Sequence, residues 1–148
     1  MLKLRKNKKG FTLVELIVVI AIMAVLAGTV AGVTVSQLNK QTDKTMATEA
    51  KGVADFISTW IIENNIDLNA TGLTLATIKA EGDNGQTLMN ALSTQYGDKV
   101  AAAKVKGKTL GISFANATIT IEYEGKQSGN NGDATYTIDD EGIVKKTK

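Results

Sequence analysis

The sequence predicts an α+β fold in which one long amino-terminal α-helix packs under a small antiparallel sheet of three to four strands. Residues 16–35 contain no charged side chain, and apolar residues then recur at helical spacing up to residue 61. From residue 109 onward, apolar and polar residues alternate instead. These three patterns are typical of a membrane helix, an amphipathic helix and half-buried strands, respectively.

Composition excludes most enzyme classes. The 148 residues include no histidine and no cysteine, so the commonest general base, thiolate metal ligands and disulfides are missing. We therefore expect no catalytic residues, no cofactor and no metal. Of the 17 basic residues, five precede Gly10, which leaves 12 against 15 acidic residues and a net charge of −3. Nucleic-acid binding is not indicated by so mildly acidic a body.

The basic leader and the apolar run together predict a membrane segment. As a helix, residues 16–35 would span roughly 30 Å, the thickness of a bilayer core, and a basic flank marks the cytoplasmic side. A cleaved secretory signal is the alternative, because Ala27 and Ala31 each end a small-residue triplet that a signal peptidase could recognise. The length of the run favours a retained span with the amino terminus inside and the body outside the cell.

Apolar side chains continue the helix beyond the span without a proline or a turn cluster. This predicted stripe consists of Leu38, Met46, Ala50, Val53, Ile57, Trp60 and Ile61. Its one-sided spacing predicts an amphipathic helix up to about residue 64, with Trp60 in the core of the body and charged residues such as Asp43 on the polar faces. The glycines at positions 28 and 32 make the weakest stretch of the helix, and we expect Gly28 and Gly32 either to form a flex point or to allow close helix packing.

The remaining residues predict a small head. Residues 64–72 are a loop by composition, residues 87–103 form a short helix, and three or four strands follow as a meander with a tight turn at residues 139–142. The predicted divisions are a leader at 1–10, the membrane helix at 11–35, its amphipathic continuation at 36–65 and the head at 66–148. Because about 80 residues make a small core, the head should depend for its stability on the long amino-terminal helix, which we call the stalk helix.

The amino-terminal stretch "KKGFTLVELIVVIAIMAVLAG" is similar to the start of type IV pilins and of pseudopilins from type II secretion and competence systems. The matching residues are Gly10, Phe11, Thr12, Leu13 and Glu15, together with the apolar run. The sequence departs from many pilins in having no proline within the span and no carboxyl-terminal disulfide loop. The missing disulfide suggests a cysteine-free, Gram-positive-type major pilin. The resemblance implies the pilin fold.

The resemblance also implies how the protein is processed and assembled. A prepilin peptidase would cut between Gly10 and Phe11 at the cytoplasmic face, and the new amine of Phe11 would be N-methylated. After insertion in the cytoplasmic membrane, the subunit would join a homo-oligomeric helical filament through an inner-membrane pilus assembly platform and become part of a cell-surface pilus. Glu15 would pair with the amino-terminal amine of a neighbouring subunit.

Several alternatives remain open from the sequence. The alternative for Glu15 is an interfacial carboxylate that reaches toward lipid headgroups and has no role in assembly. The turn acids Asp139, Asp140 and Glu141 lack the spacing of a calcium loop, so we expect them to be solvated. A pseudopilin is the alternative function, and a membrane-anchored or secreted binding protein with an ordinary signal is the second alternative.

Overall fold

The computed structural model describes residues 10–80, 85–127, 129 and 131–148. Its helices are α1 (Leu13–Glu63) and α2 (Leu88–Tyr96), followed by a 3-10 turn at Gly97–Lys99. The strands are β1 (Val100–Ala101), β2 (Leu110–Ala115), β3 (Thr118–Tyr123), β4 (Ala134–Ile138) and β5 (Val144–Lys146). A long helix followed by a mostly antiparallel sheet confirms the predicted α+β class. By its internal contacts the chain divides into two compact units, and the boundary between them along the chain lies between residues 37 and 38.

The first unit is an apolar helix with an uncovered surface. Its large side chains are exposed along its whole length, from Leu13 at 73% to Val35 at 58%. Within the described part of the chain, α1 is the one helix long and apolar enough to cross a bilayer. This agrees with the membrane segment that the sequence predicts.

The sheet of the second unit has the order β1-β2-β3-β4-β5. The β2–β3, β3–β4 and β4–β5 pairs are antiparallel, as predicted, whereas β1 lies parallel to β2. The sheet therefore has one strand more than the upper limit of the prediction. Strand β1 occupies residues that we expected to be helical. Gly97 has a φ of +58° and ends α2, after which Val100 pairs with Leu110.

The core of the second unit joins the stalk helix to the sheet. Met46, Ala50, Val53, Ile57, Trp60 and Ile61 are buried, which confirms the predicted stripe except at Leu38, which is exposed. The facing sheet residues are Ile112, Ile119, Ile121, Tyr123, Tyr136 and Ile138, all of them buried. Burying each such aliphatic or aromatic side chain contributes about 1.5 to 3 kcal/mol. The stalk helix and the sheet thus share a single core.

The β2–β3 and β4–β5 turns differ in whether a glycine occupies a position of positive φ. Strands β2 and β3 are joined by Asn116 and Ala117 alone, and both residues have a positive φ, of 51° and 57°. This is the geometry of a type I′ turn, which favours Asn-Gly. In the β4–β5 turn, by contrast, Gly142 supplies the positive φ of 76° that the backbone requires.

Candidate processing and assembly site

The predicted processing junction lies just ahead of α1. Gly10 and Phe11 are both outside the helix, and Phe11 is 92% exposed. A Cβ placed on Gly10 would meet nothing within 4 Å. Among the described residues, therefore, no side chain packs on Gly10 or Phe11.

Thr12 and Glu15 form a reciprocal capping box at the start of α1. The Thr12 N–H and the Thr12 hydroxyl each donate to Oε2 of Glu15 at 2.8 Å. In return, the Glu15 N–H donates to the Thr12 hydroxyl oxygen at 3.3 Å. This pairing satisfies backbone donors that the first turn of a helix leaves without partners.

The capping box gives Glu15 a local partner that the sequence analysis missed. The signal was readable, because Thr-x-x-Glu before an apolar run is the sequence signature of a capping box. A carboxylate near a helix amino terminus is also favoured by the helix dipole. Both side-chain hydrogen bonds use Oε2, and the side chain remains exposed. Glu15 can therefore cap its own helix and still be reached by a cation from outside the subunit.

The two glycines of the membrane run lie within uninterrupted helix. Helix α1 passes through Gly28 and Gly32 without a break, and a Cβ on either glycine would meet nothing within 4 Å. Contacts within the subunit therefore do not require glycine at these positions. Flexing, or close packing against another helix, remains the predicted reason for them.

Asp43 is a buried carboxylate that the sequence analysis placed on the polar face of the helix. It is 2% exposed and, among the described residues, the one buried charged side chain. Oδ1 accepts hydrogen bonds from the Tyr123 hydroxyl and the Lys126 N–H, both at 2.8 Å. Oδ2 accepts from the Gln127 backbone N–H at 3.2 Å and from Gln127 Nε2 at 3.0 Å. One stalk residue thus holds the segment that follows β3.

The surroundings of Asp43 favour its charged form. Burial raises the pKa of Asp43, but the hydrogen bonds from Lys126, Tyr123 and Gln127 outweigh it, so the pKa lies below its usual value. Burial and the bond to Asp43 raise the pKa of Tyr123. The backbone also approaches closely here, because a Cβ on Gly132 would overlap the Asp43 carboxylate.

Two of the three turn acids, Asp139 and Asp140, have hydrogen-bond partners within the subunit. Asp139 Oδ1 accepts from the Ile143 N–H at 2.8 Å, and Oδ2 pairs with Lys145 at 2.9 Å. Asp140 Oδ2 accepts from Asn69 Nδ2 at 2.7 Å. Across the described ranges, no group of three or more acidic side chains is arranged to hold a metal ion.

Comparison with known proteins identifies the amino-terminal stretch. Residues 5–31 match the family model described as the prokaryotic N-terminal methylation motif. This motif is the class III leader signature of type IV prepilins. No curated protein and no solved structure matches the chain.

The match supports a pilin-like protein that is processed as a prepilin. The helix followed by the mostly antiparallel sheet is a pilin-like arrangement, in agreement with this class. The motif also indicates a structural protein rather than an enzyme, and it implies processing by a prepilin peptidase in the context of pilus assembly. The apolar helix agrees with a membrane-anchored pilin.

Proposed function

We propose that this protein is the major structural subunit of a type IV pilus filament and not an enzyme. The observation that carries the proposal is the methylation motif at residues 5–31, which continues directly into an uncovered apolar helix. In a lone subunit the exposed side chains of residues 13–35 need lipid, and in a filament they need other helices. Both environments fit a subunit that moves from a membrane into a filament core.

Cleavage between Gly10 and Phe11 by a prepilin peptidase is the first proposed step. Hydrolysis leaves a carboxylate on Gly10 and a new α-amine on Phe11, whose ordinary pKa near 8 keeps it mostly protonated at pH 7. N-methylation of Phe11 preserves that charge. The cut also removes the five basic residues of the leader, so one defined cation replaces a diffuse basic block.

Glu15 is the proposed assembly residue. A carboxylate within a bilayer costs a few kcal/mol unless it is paired. The capping box offsets part of that cost within the subunit, and the amine of a neighbouring Phe11 would neutralise the remaining charge. An incoming subunit would therefore be held at the register where its amine meets this carboxylate.

The proposed partners follow from this route. They are the prepilin peptidase and methyltransferase, the cytoplasmic membrane before assembly, an inner-membrane assembly platform, and identical copies in the filament. The chain would cross the membrane once with its head outside the cell, and later lie on the cell surface. Gly28 and Gly32 would help the apolar helix adapt to neighbouring helices.

Variants of the capping box test the role of Glu15. Glu15→Gln retains a side chain that can complete a capping box but removes the charge, whereas Thr12→Ala removes the cap hydroxyl and retains the charge. We expect Glu15→Gln to abolish filaments on cells that make only this variant, and Thr12→Ala to keep most of them. Normal filaments from Glu15→Gln, counted by electron microscopy, would contradict charge pairing.

Deletion of the chain separates a pilin from a pseudopilin. Loss of surface filaments is expected for a major pilin. Loss of secretion or of DNA uptake, with filaments intact, would instead favour a pseudopilin of a secretion or competence system.

A further inference from the structure

The second unit, residues 38–148, is basic at one end of its helix and acidic at the other. The basic end consists of Lys40, Lys44, Lys106, Lys108 and Lys126, all exposed. The acidic end consists of Glu63, Asp67, Asp140 and Glu141, also all exposed. Because residues 38–148 contain 12 basic and 14 acidic residues, a net charge of −2, this separation is a matter of position and not of composition.

Contacts around Asp43 assemble the basic end. Lys126 donates its N–H to Asp43, and its side chain lies over Gly107, where a Cβ would overlap it. The Gly107 N–H bonds to the Glu124 carbonyl oxygen at 2.8 Å, which brings Lys106 and Lys108 to the same place. Lys106 pairs with Glu124 at 3.5 Å, and no other lysine of this end lies within ion-pair distance of a carboxylate in the described ranges.

Contacts around Ser58 and Ile62 assemble the acidic end. The Ser58 hydroxyl donates to the Gly142 carbonyl oxygen, and a Cβ on Gly142 would come within 3.0 Å of Ile62. The turn that carries Asp140 and Glu141 is thereby held on the last turns of α1. These acids, with Asp67, line a shallow depression of about 280 Å³. Two lysines lie at this end: Lys145, which pairs with Asp139 of the same turn at 2.9 Å, and Lys79, which lines a neighbouring depression with Asp67. The acids still outnumber them, so this end is net acidic.

Each end also exposes apolar surface. Val105 is 50% exposed beside the lysines, while Ile62 and Ile143 are 60% and 47% exposed beside the acids. Apolar side chains inside a polar rim are the usual arrangement of an interface between proteins. Fifteen helical positions separate Asp43 from Ser58, which is about 22 Å at the rise of an α-helix. The two surfaces are therefore too far apart to meet within one copy.

We propose that the basic end of one copy docks on the acidic end of a second copy. A contact between two different surfaces of identical chains can repeat from copy to copy, and it generates an open helical assembly when the rotation between copies does not close a ring. The proposed contact deepens the filament proposal, on which it rests, by naming the head surfaces that meet. Anionic lipid could bind only the basic end and would leave the acidic end without a partner. A second copy of the chain provides a partner for both ends.

Engineered disulfides test this contact directly, because the chain has no cysteine of its own. The double variant Lys108→Cys/Glu141→Cys places one thiol at each end. Within a copy, the two thiols are far beyond the 4.4 to 6.8 Å between Cα atoms that a disulfide usually spans. The matched control is Ser113→Cys/Glu141→Cys, whose first thiol lies at an exposed position in the middle of β2 and outside the basic end as defined above. Each single-cysteine variant serves as a further control, since it can form dimers only.

Oxidised filaments and membranes of the double variant should give a ladder of dimers, trimers and longer chains. The ladder should exceed that of the control pair by about tenfold or more, because complementary charge favours the contact. Mass spectrometry should find the disulfide between positions 108 and 141. If filaments form without a ladder, or with a ladder equal to that of the control pair, the proposed head contact is wrong and the filament proposal stands.

A ladder in membranes of cells that make no filaments would support the head contact and count against the filament proposal. If the ladder is absent and Lys106→Glu/Lys108→Glu instead loses binding to vesicles of anionic lipid, the basic end is a lipid surface and the proposal is wrong.

Discussion

Residues 10–37 and residues 38–148 differ in where their apolar side chains lie. In the first region these side chains are exposed and make a single uncovered helix, while in the second they are buried in a core shared by helix and sheet. The recognised motif, at residues 5–31, ends within the first region and does not reach the second. The first region thus carries the recognised motif and the membrane-length apolar helix, and the second carries the buried core.

Removal of the Asp43 carboxylate should have the largest effect on stability. Asp43→Ala leaves the Tyr123 hydroxyl and the Lys126 and Gln127 N–H groups without their acceptor, so we expect a loss of about 3 kcal/mol. Chemical unfolding of the full chain in detergent, followed by Trp60 fluorescence, measures it. Tyr123→Phe is the matched control and should cost about 1 kcal/mol. Processing at Gly10 should be unchanged in both variants.

Acid should remove the same stabilisation. The pKa of Asp43 is lower in the folded protein than in the unfolded chain, where it is about 3.9. The contribution of Asp43 to the free energy of unfolding is therefore fully present above a pH of about 3.9 and is lost as the pH falls through the pKa of the folded protein. Asp133 and Asp139, whose pKa values are lowered chiefly by bonds from Lys148 and Lys145, act in the same direction. The free energy of unfolding should therefore fall as the pH drops below about 4. Asp43→Asn should show a shallower fall, and an unchanged slope would contradict the assignment to Asp43.

A glycine-to-alanine substitution should lower stability in the second region and raise it in the first. Gly132→Ala places a Cβ into the Asp43 carboxylate and should destabilise the head by about 2 kcal/mol. Gly28→Ala meets nothing within the subunit and should stabilise the helix by about 1 kcal/mol. Thermal unfolding checks the first effect, and helix content in detergent checks the second. Equal effects at both positions would remove the distinction between the two regions.

The smallest expected effect is a gain at the β2–β3 turn. Ala117 has a φ of 57°, which costs a residue with a Cβ about 1 to 2 kcal/mol, and glycine avoids that strain. Because glycine also loses more conformational entropy on folding, Ala117→Gly should raise stability by at most about 1 kcal/mol. A lower midpoint in urea would show that the turn is not of type I′.

Local patterns predicted the class and much of the core. The motif, the apolar run, the stripe around Trp60 and the alternating strands all depend on neighbours in sequence. Strand β1 could not be predicted, because its pairing of Val100 with Leu110 depends on where Gly97 ends α2. Sequence periodicity favoured a longer helix there.

Asp43 illustrates a signal that was present and misread. It precedes Met46 by three residues and Ala50 by seven, so it lies in register with the buried stripe. A charged residue at such a position requires buried hydrogen-bond donors. Those donors come from residues 123–127, far along the chain, and only the fold brings them together.

The amino terminus of the mature protein tests the central claim most directly. Mass spectrometry of the protein purified from its own cells should find a chain that begins at Phe11 with a methylated amine. A chain that retains Met1, or that begins at Gly28 or Gly32 after signal-peptidase cleavage, would contradict it.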